Sequence, residues 1–485
     1  MSSCYAQLLA DAPAPRLLAG ARAEIAARNA ADDRRIAVLD DDPTGSQSVH
    51  GVQIVLAPRE TEYRRALERP GSTAFLLTNT RSLAPDDAAR LNERAGAALL
   101  EIGRDLAAPV TLVSRSDSTL RGHMWVEVAA LHRAARTATG RGFDAVLLAP
   151  AFLEAGRATI GGVHWARVGG QMVPAAETEF AGDASFGYRS SNLRDWVVER
   201  TDGAVRREDV GSLSLEDIRC GGPERVAEVL GAARDGQFIV VDAVEFADLD
   251  VVALGVLDAQ DRGQRLLHRT GPSMVRSLAG VPDRDRLTHA EIWPSSGAAG
   301  PGLVVVGSHV GLTNSQLEVA LRRADLRRVE LPVAELAGES AEVVRRTAAE
   351  VRDGLRHGHV LLQTSREVRT GTDAASSLAI AREVSTALSA SVRAVRELPG
   401  WVIAKGGITS HDIAVRGLGI RRATVLGQLL DGQVSVFDPT ELDPTVPNSN
   451  GKAAPYVVFA GNVGDEHTLS KAIDVLSGST DRMPS

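Results

Sequence analysis

The amino-acid sequence predicts an α/β protein built as two domains with mostly parallel sheets. Three observations predict it. Short apolar runs end in polar turns, as buried parallel strands do. Helical stretches lie between several of these runs, the sign of strand–helix–strand crossovers. A Pro-, Gly- and Ser-rich stretch, WPSSGAAGPG at 293–302, interrupts the pattern, and a second set of runs follows it.

Residues 1–34 read as a helical extension, with Leu17, Leu18, Ala21, Ile25 and Ala26 spaced for a helix over 15–30. The first strand is RIAVLDD (35–41). VQIVLA (52–57), STAFLLTNT (72–80), PVTLVSRSD (109–117), FDAVLLAPAF (143–152) and QFIVVDAV (237–244) follow, with helices over 85–105 and 124–137. These make a first domain over 35–270, and 271–302 is expected to be a linker. The second domain, 303–485, alternates LVVVGS (303–308), RRVELP (327–332), HVLLQTS (359–365), WVIAKGG (401–407), ATVLGQLL (423–430) and YVVFAGN (456–462) with helices near 313–323, 340–355, 373–395 and 410–417. Ligands of open α/β sheets gather at strand carboxyl ends, so the active site is expected in the cleft between the domains.

Composition narrows the function. The chain has 485 residues and a net charge of −8, which argues against a nonspecific nucleic-acid binder. Two cysteines, Cys4 and Cys220, cannot build a disulfide framework or a Cys-rich metal site. The N-terminus lacks the basic start and apolar core of a secretory signal, and no apolar run is long enough to span a bilayer. A cytoplasmic protein without membrane or nucleic-acid partners is expected. Only three of the 54 basic residues are lysines (Lys405, Lys452 and Lys471), so a lysine inside a motif stands out from the background.

Polar clusters sit at the predicted strand ends. Asp40, Asp41 and Asp42 close the first strand, with Thr44 and Gly45 after them. Capping a turn needs fewer acids; a carboxylate there can bind hydroxyls and take a proton from one. SRSDSTLRGH (114–123) packs Arg115, Asp117, Ser118, Thr119, Arg121, Gly122 and His123 into ten residues. Arginine forks suit a carboxylate, Asp and Ser suit sugar hydroxyls, and the bland alternative is an Asp–Arg pair holding a loop. TNTRSL (78–83) adds Asn79 and Arg81, and EAGRATIGGVHW (154–165) adds Gly156, Arg157 and His164, the last more often structural than functional. ETEFAGDASFGYRSSNL (177–193) reads as a substrate loop or lid. In the second half, three glycine turns follow strands: Gly307-Ser308, Gly406-Gly407-Ile408-Thr409 beside Lys405, and Gly461-Asn462 with Gly464. Together they make a nucleotide cradle, which Lys405 can support by reaching a phosphate. The sequence lacks G-x-x-x-x-G-K-[ST], H-E-x-x-H and G-x-S-x-G, and no clean G-x-G-x-x-G follows a strand.

The motifs DDPTG (41–45), DSTLRG (117–122), PAF-EAGR (150–157), VGS with T--Q (306–316), GGIT (406–409) and GNVG (461–464) fall in an order that resembles the four-carbon acid sugar kinase family over about residues 35–470. The resemblance implies a sugar-acid-binding N-terminal domain and a nucleotide-binding C-terminal domain. It implies ATP-dependent phosphorylation of a terminal hydroxyl on a threonate, an erythronate, a 3-oxo-tetronate or a related C4 or C5 acid, and phosphoryl transfer from ATP brings the expectation of Mg²⁺ on the phosphates. Carried over by position, Asp41, Asp42, Thr44 and Gly45 match the substrate-side motif, as do Asp117, Ser118, Thr119, Arg121 and Gly122. Ser308, Gly406–Thr409 and Gly461 match ATP-contacting positions. Asp40, Pro43 and Phe459-Ala460 depart from the common pattern, and Lys405 stands in for a lysine that relatives often carry at the last turn. The departures bear on the substrate more than on the reaction.

On this reading Asp41 or Asp42 is the base, with Asp117 in the same catalytic set. Arg121, helped by Arg81 or Arg115, clamps the substrate carboxylate. No metal ligands are assigned, and a homodimer is a compatible assembly. Two rivals stay open: a sugar-acid dehydrogenase, disfavoured by the missing dinucleotide fingerprint, and a non-catalytic sensor, which would not need the acids.

Overall fold

The computed structural model describes residues 3–42, 45–293, 300–307, 311–365, 374–430, 434–444, 454–461 and 463–479. It divides into two compact units. The first comprises Met1–Val49 and Pro58–Asp283; the second comprises His50–Ala57 and Arg284–Ser485. In chain order the strands are β1 (Arg35–Asp40), β2 (Gln53–Val55), β3 (Thr73–Leu77), β4 (Val110–Arg115), β5 (Ala145–Ala149), β6 (Arg157–Ile160), β7 (Val163–Val168), β8 (Gln171–Pro174), β9 (Gly211–Leu213), β10 (Gln237–Val241), β11 (Leu266–Thr270), β12 (Gly302–Val306), β13 (Leu326–Leu331), β14 (His359–Thr364), β15 (Trp401–Lys405), β16 (Ile420–Leu430), β17 (Val434–Leu442) and β18 (Tyr456–Phe459).

In the first unit β3-β1-β4-β11-β5-β10-β9 form an all-parallel sheet. Every residue of β1, β3 and β5 is buried, which explains their unbroken apolar runs. The helices Pro85–Asp105 and Met124–Thr139 pack on each other, and a Cβ on Gly96 would stand 2.7 Å from Leu131, so glycine sets their approach. The crossovers leave β1 toward β3 on one side and return to β4 on the other. That reversal puts a topological switch point at the carboxyl ends of β1 and β4. A small antiparallel sheet, β6-β7-β8, completes the unit.

In the second unit β13-β14-β12-β15-β18 are parallel, and β17, β16 and β2 extend the sheet antiparallel. Here the reversal falls between β12 and β15. Their registered ends, Val306 and Lys405, lead into the first two glycine turns, and Lys405 pairs in register with Phe459 before the third. The three turns therefore leave neighbouring strands at one edge.

The α/β class with mostly parallel sheets is as the sequence predicts. Several elements differ. The run expected as a strand over 52–57 does hold β2, shortened to Gln53–Val55, but β2 belongs to the second unit, antiparallel to β16. The expected helix over 15–30 runs only from Ala21 to Ala31, because Gly20 at its start is left-handed (φ +74°); Leu17 is 79% exposed. The segment read as a linker from residue 271 holds the helix Pro272–Leu278 within the first unit, and β11 just before it was not expected. Strands β6–β8 and β17 escape the sequence pattern, being short or fading in burial, whereas the strand expected over 423–430 is β16, extended back to Ile420. Among the described residues no helix is long and apolar enough to cross a membrane.

Candidate active site

The acidic triplet lies at the switch point of the first unit. Asp40 ends β1 in register with Arg115, the last residue of β4. The side chains of Asp40 and Asp41 are almost wholly buried, whereas that of Asp42 is 26% exposed. Burying such charge requires compensation, and two arginines supply it. Arg115 Nη1 donates to Asp40 Oδ1 (2.9 Å) and Asp41 Oδ1 (3.4 Å). Arg81 donates through Nη2 to Asp41 Oδ1 (2.7 Å) and through Nε to Asp41 Oδ2 (3.3 Å), and its Nη1 lies 3.4 Å from Asp42 Oδ2. Burial lowers the affinity of both guanidiniums for a proton, but the aspartates outweigh it and hold both above the usual arginine range.

Asp40 behaves differently. Burial pushes its carboxyl up to about 7; Arg115 opposes this, and the charges of Asp41 and Asp42 add to it. Its Oδ2 is buried without a hydrogen-bond partner. A Cβ on Gly45 would overlap this carboxylate, so the turn after the triplet needs glycine for close approach.

The loop after β4 closes around the same cluster. Asp117 accepts from Arg121 Nε (2.6 Å) and from the Thr119 hydroxyl. Burial alone would raise Asp117, yet Arg81, Arg121 and Thr119 hold it well below the usual carboxylate range. Arg121 Nη1 also reaches Asp183 Oδ2 (3.5 Å) in the loop expected to act as a lid. Gly122 (φ +109°) brings the backbone to Asp41, where a Cβ would stand 3.1 Å from Oδ2. Leu120 is left-handed at φ +66°, a conformation that costs a residue with a side chain about 1 kcal/mol or more. The main chain of Ser118 accepts from His164 Nε2 (2.8 Å), and that of Thr119 accepts from the Tyr188 hydroxyl (2.8 Å). His164 is wholly buried, also bonds Thr159 (2.9 Å), and burial pulls it down to about 4; it is a packing histidine.

The structure thus brings together Asp41, Asp42, Gly45, Arg81, Arg115, Asp117, Ser118, Thr119, Arg121 and Gly122. The sequence assigned Arg81, Arg115 and Arg121 to a ligand carboxylate; here all three face aspartates. Asp40 lay outside the assigned set, although its place in the triplet signalled it. Glu127, which bonds Thr80 and Arg269 beneath the cluster, carried no local signal. Thr44, Ser308 and Asn462 lie outside the described residues.

In the second unit the turns are braced from below. Thr313 Oγ1 donates to Gly461 O (3.0 Å), and Gln316 Nε2 donates to Val463 O (2.9 Å) and Asp465 O (2.7 Å), which gives the T--Q spacing its purpose. Gly406 takes φ +112° and donates to Phe459 O (2.8 Å), tying the second turn to the third strand. Gly464, at φ +81°, lies against Thr468 at the start of the last helix. Lys405 is fully buried. Its Nζ donates to Ala460 O (3.1 Å) and Gly461 O (3.4 Å) and sits 3.9 Å from the Phe459 ring centroid; burial lowers it to about 7. The ammonium braces the third turn from beneath.

Beside the turns lies a cavity of about 260 Å³ lined by Gly307, Val333, Thr364, Ile380, Ala381, Val384, Ser385, Leu388, Ser389, Ile408, Thr409, Asp412 and Ile413. Apolar walls with a few hydroxyls and one carboxylate suit a flat heteroaromatic ring. Gly407 opens onto space, and Ile408 is 70% exposed at the rim. Among the described residues no three His, Cys, Asp or Glu side chains converge as a metal cage.

A carboxylate–guanidinium cluster at one switch point and a glycine-turn cradle at another define a two-part protein, one part suited to a polyol and one to a nucleotide. The family comparisons divide the chain likewise. Residues 36–278 match a sugar-binding N-terminal domain and residues 303–469 a nucleotide-binding C-terminal domain. The chain belongs to the four-carbon acid sugar kinase family. It is 29% identical to a D-threonate kinase of Salmonella typhimurium over 460 residues, 90% of this chain and 97% of that one. It is 30% identical to a D-threonate kinase of Bordetella bronchiseptica over 316 residues, 63% of this chain and 66% of that one. Among solved structures, a Haemophilus influenzae protein of the DUF1537 family shares the fold at 16% identity, with a TM-score of 0.62 over 91% of this chain and all of that one. A Salmonella typhimurium chain described as a tRNA synthase does so at 16% identity and a TM-score of 0.63, over 90% of this chain and 98% of that one. At such identity these two likenesses speak to the fold alone.

Proposed function

We propose that this protein is an ATP-dependent kinase that phosphorylates a terminal hydroxyl of a small sugar acid of the D-threonate class. One observation carries the reading: a single chain holds both a carboxylate–guanidinium cluster at a strand-end switch point and three neighbouring glycine turns beside an apolar cavity. The first suits the hydroxyls of a small polyol; the second suits phosphates and a base.

In this mechanism Asp42, the most exposed member of the triplet, accepts the proton of the attacking hydroxyl. The substrate oxygen forms its bond to the γ-phosphorus as the bond from that phosphorus to the β-phosphate oxygen breaks, and ADP leaves. Arg81 and Arg115 hold Asp41 and orient the carboxylates. Asp117 keeps Arg121 in place and is a positioning residue. The turns at Gly307, Gly406–Gly407 and Gly461 present backbone amides to the phosphates, and the cavity takes the base. Mg²⁺ enters on the nucleotide as part of the substrate, where it neutralises phosphate charge.

The test is ADP release with ATP and Mg²⁺ across C4 and C5 sugar acids and their 3-oxo forms. Substrate-dependent release from at least one acid is expected. Asp42→Asn should lower kcat roughly 100-fold or more while leaving the thermal unfolding profile in place. Silence across the panel, or unchanged turnover in Asp42→Asn, refutes the activity or the assigned base respectively.

A further inference from the structure

The arginines expected to grip the substrate carboxylate are already engaged. Arg81 bonds Asp41, Arg115 bonds Asp40 and Asp41, and Arg121 bonds Asp117 and Asp183. Guanidiniums committed to aspartates have little attraction left for another anion. Arg157, partly buried in the same region, is not so engaged. Among the described residues its side chain donates no hydrogen bond and forms no ion pair, and its Nε is buried without an acceptor. A half-buried cation in that state is costly unless an anion is due to arrive.

The surroundings are built to hold it ready. Gly156, left-handed at φ +70°, turns the chain into β6. The backbone of Arg157 is then pinned on both sides, its N–H donating to Phe152 O (2.9 Å) and its carbonyl accepting from Phe152 N (3.0 Å). The guanidinium lies 5.8 Å from the ring centroids of both Phe152 and Phe180, within cation–π reach. Phe180 also carries Arg121, 5.3 Å from the same centroid. The segment holding Phe180 is fastened to the DSTLRG loop through Arg121–Asp183 and through the Tyr188 hydroxyl on Thr119 O. Burial lowers the hold of Arg157 on its proton, Asp117 opposes that, and the like charge of Arg121 adds to it, so an added carboxylate would relieve the site.

We infer that Arg157 is the residue that binds the substrate carboxylate and so selects an acid over a neutral polyol. The inference rests on the kinase reading above. A planar carboxylate offers two acceptors to a planar fork that currently donates to none. The PAF-EAGR motif thus has a use: Phe152 stacks, Gly156 turns, and Arg157 binds.

The test compares wild type with Arg157→Met and Arg157→Lys, using the best sugar acid of the panel and the corresponding tetritol, which lacks the carboxylate. In Arg157→Met the KM for the acid should rise roughly 10- to 100-fold with the KM for ATP unchanged. The preference for acid over tetritol in kcat/KM should fall by a similar factor. Arg157→Lys keeps the charge without the fork and should fall between; it carries the test if the methionine variant does not fold. An unchanged acid KM or an unchanged acid-over-tetritol ratio in a folded variant overturns the inference and leaves the kinase standing. If wild type turns over no acid, the kinase reading fails by itself, and calorimetric binding of D-threonate decides Arg157: equal binding by wild type and Arg157→Met, or none by wild type, overturns it.

Discussion

Lys405 gives a prediction whose size follows from the structure. The side chain is fully buried, has two carbonyls and a phenylalanine face for company, and is pulled by burial from 10.5 to about 7. Below about pH 7 the amine is charged in both the folded and unfolded chains, and the folded state bears the whole cost of burying it. Between about 7 and 10.5 the unfolded chain binds the extra proton, so stability rises with pH across that window. At about 1.36 kcal/mol per pH unit the ceiling is roughly 5 kcal/mol, and relaxation around a buried charge reduces the expected effect to roughly 2–3 kcal/mol. Lys405→Met keeps the apolar stem and removes the proton. Its stability relative to wild type should be greatest near pH 6 and decline by that amount toward pH 10, read from denaturant unfolding of the second unit. The chain has three lysines, so isotope-labelled lysine yields three side-chain NMR signals. One should titrate near neutrality and vanish in Lys405→Met. Three signals that all titrate above pH 9 would refute the reasoning. Added ATP should shift the neutral titration upward, because phosphate charge favours the ammonium.

Two further substitutions probe the two halves separately. Gly45→Ala drives a Cβ into the Asp40 carboxylate and should cost the first unit roughly 1–3 kcal/mol in a thermal or denaturant melt, with ATP binding to the second unit intact; a variant as stable as wild type would mean that the turn is not packed as described. Val384→Trp fills part of the 260 Å³ cavity and should raise the KM for ATP at least tenfold with the KM for the acid unchanged, whereas an unchanged ATP KM would place the base elsewhere.

The sequence made the parallel strands easy to read because both their faces are buried. LVVV at β12 and AVLLA at β5 leave no alternation to confuse with a helix or a loop. It left β16 and β17 half-read because their burial alternates or fades along the strand. Residues 52–57 show the deeper limit: a local pattern can announce a strand but not the sheet it joins, and this one pairs with β16, almost 370 residues away. The site divides the same way. DDPTG and DSTLRG were visible as chemistry because their residues are contiguous. That Arg81 would be held by Asp41, or Arg115 by Asp40, depends on strands meeting in register, so the sequence assigned those arginines to a ligand. The scarcity of lysine flagged Lys405, while its burial beneath the third turn is a property of the folded sheet alone.

The acidic triplet can now be understood through its unequal environments. Three adjacent carboxylates at a buried strand end would repel one another and lose hydration. The structure gives them three fates. Asp40 goes deepest and escapes the cost by titrating near neutrality, with Gly45 pressed against it. Asp41 stays buried between two arginines and becomes the rigid centre of the cluster. Asp42 keeps a quarter of its side chain in solvent, with Arg81 Nη1 3.4 Å from its Oδ2. Two of the three therefore serve as scaffold, and in the proposed mechanism the third is the one that meets an incoming hydroxyl. The arginines follow the same division of labour: Arg81, Arg115 and Arg121 hold the aspartates, and the inference above gives Arg157 the anion from outside. A site arranged in this way predicts that removing a scaffold carboxylate will harm folding as well as turnover, and that removing Asp42 or Arg157 will harm turnover or binding with the fold retained.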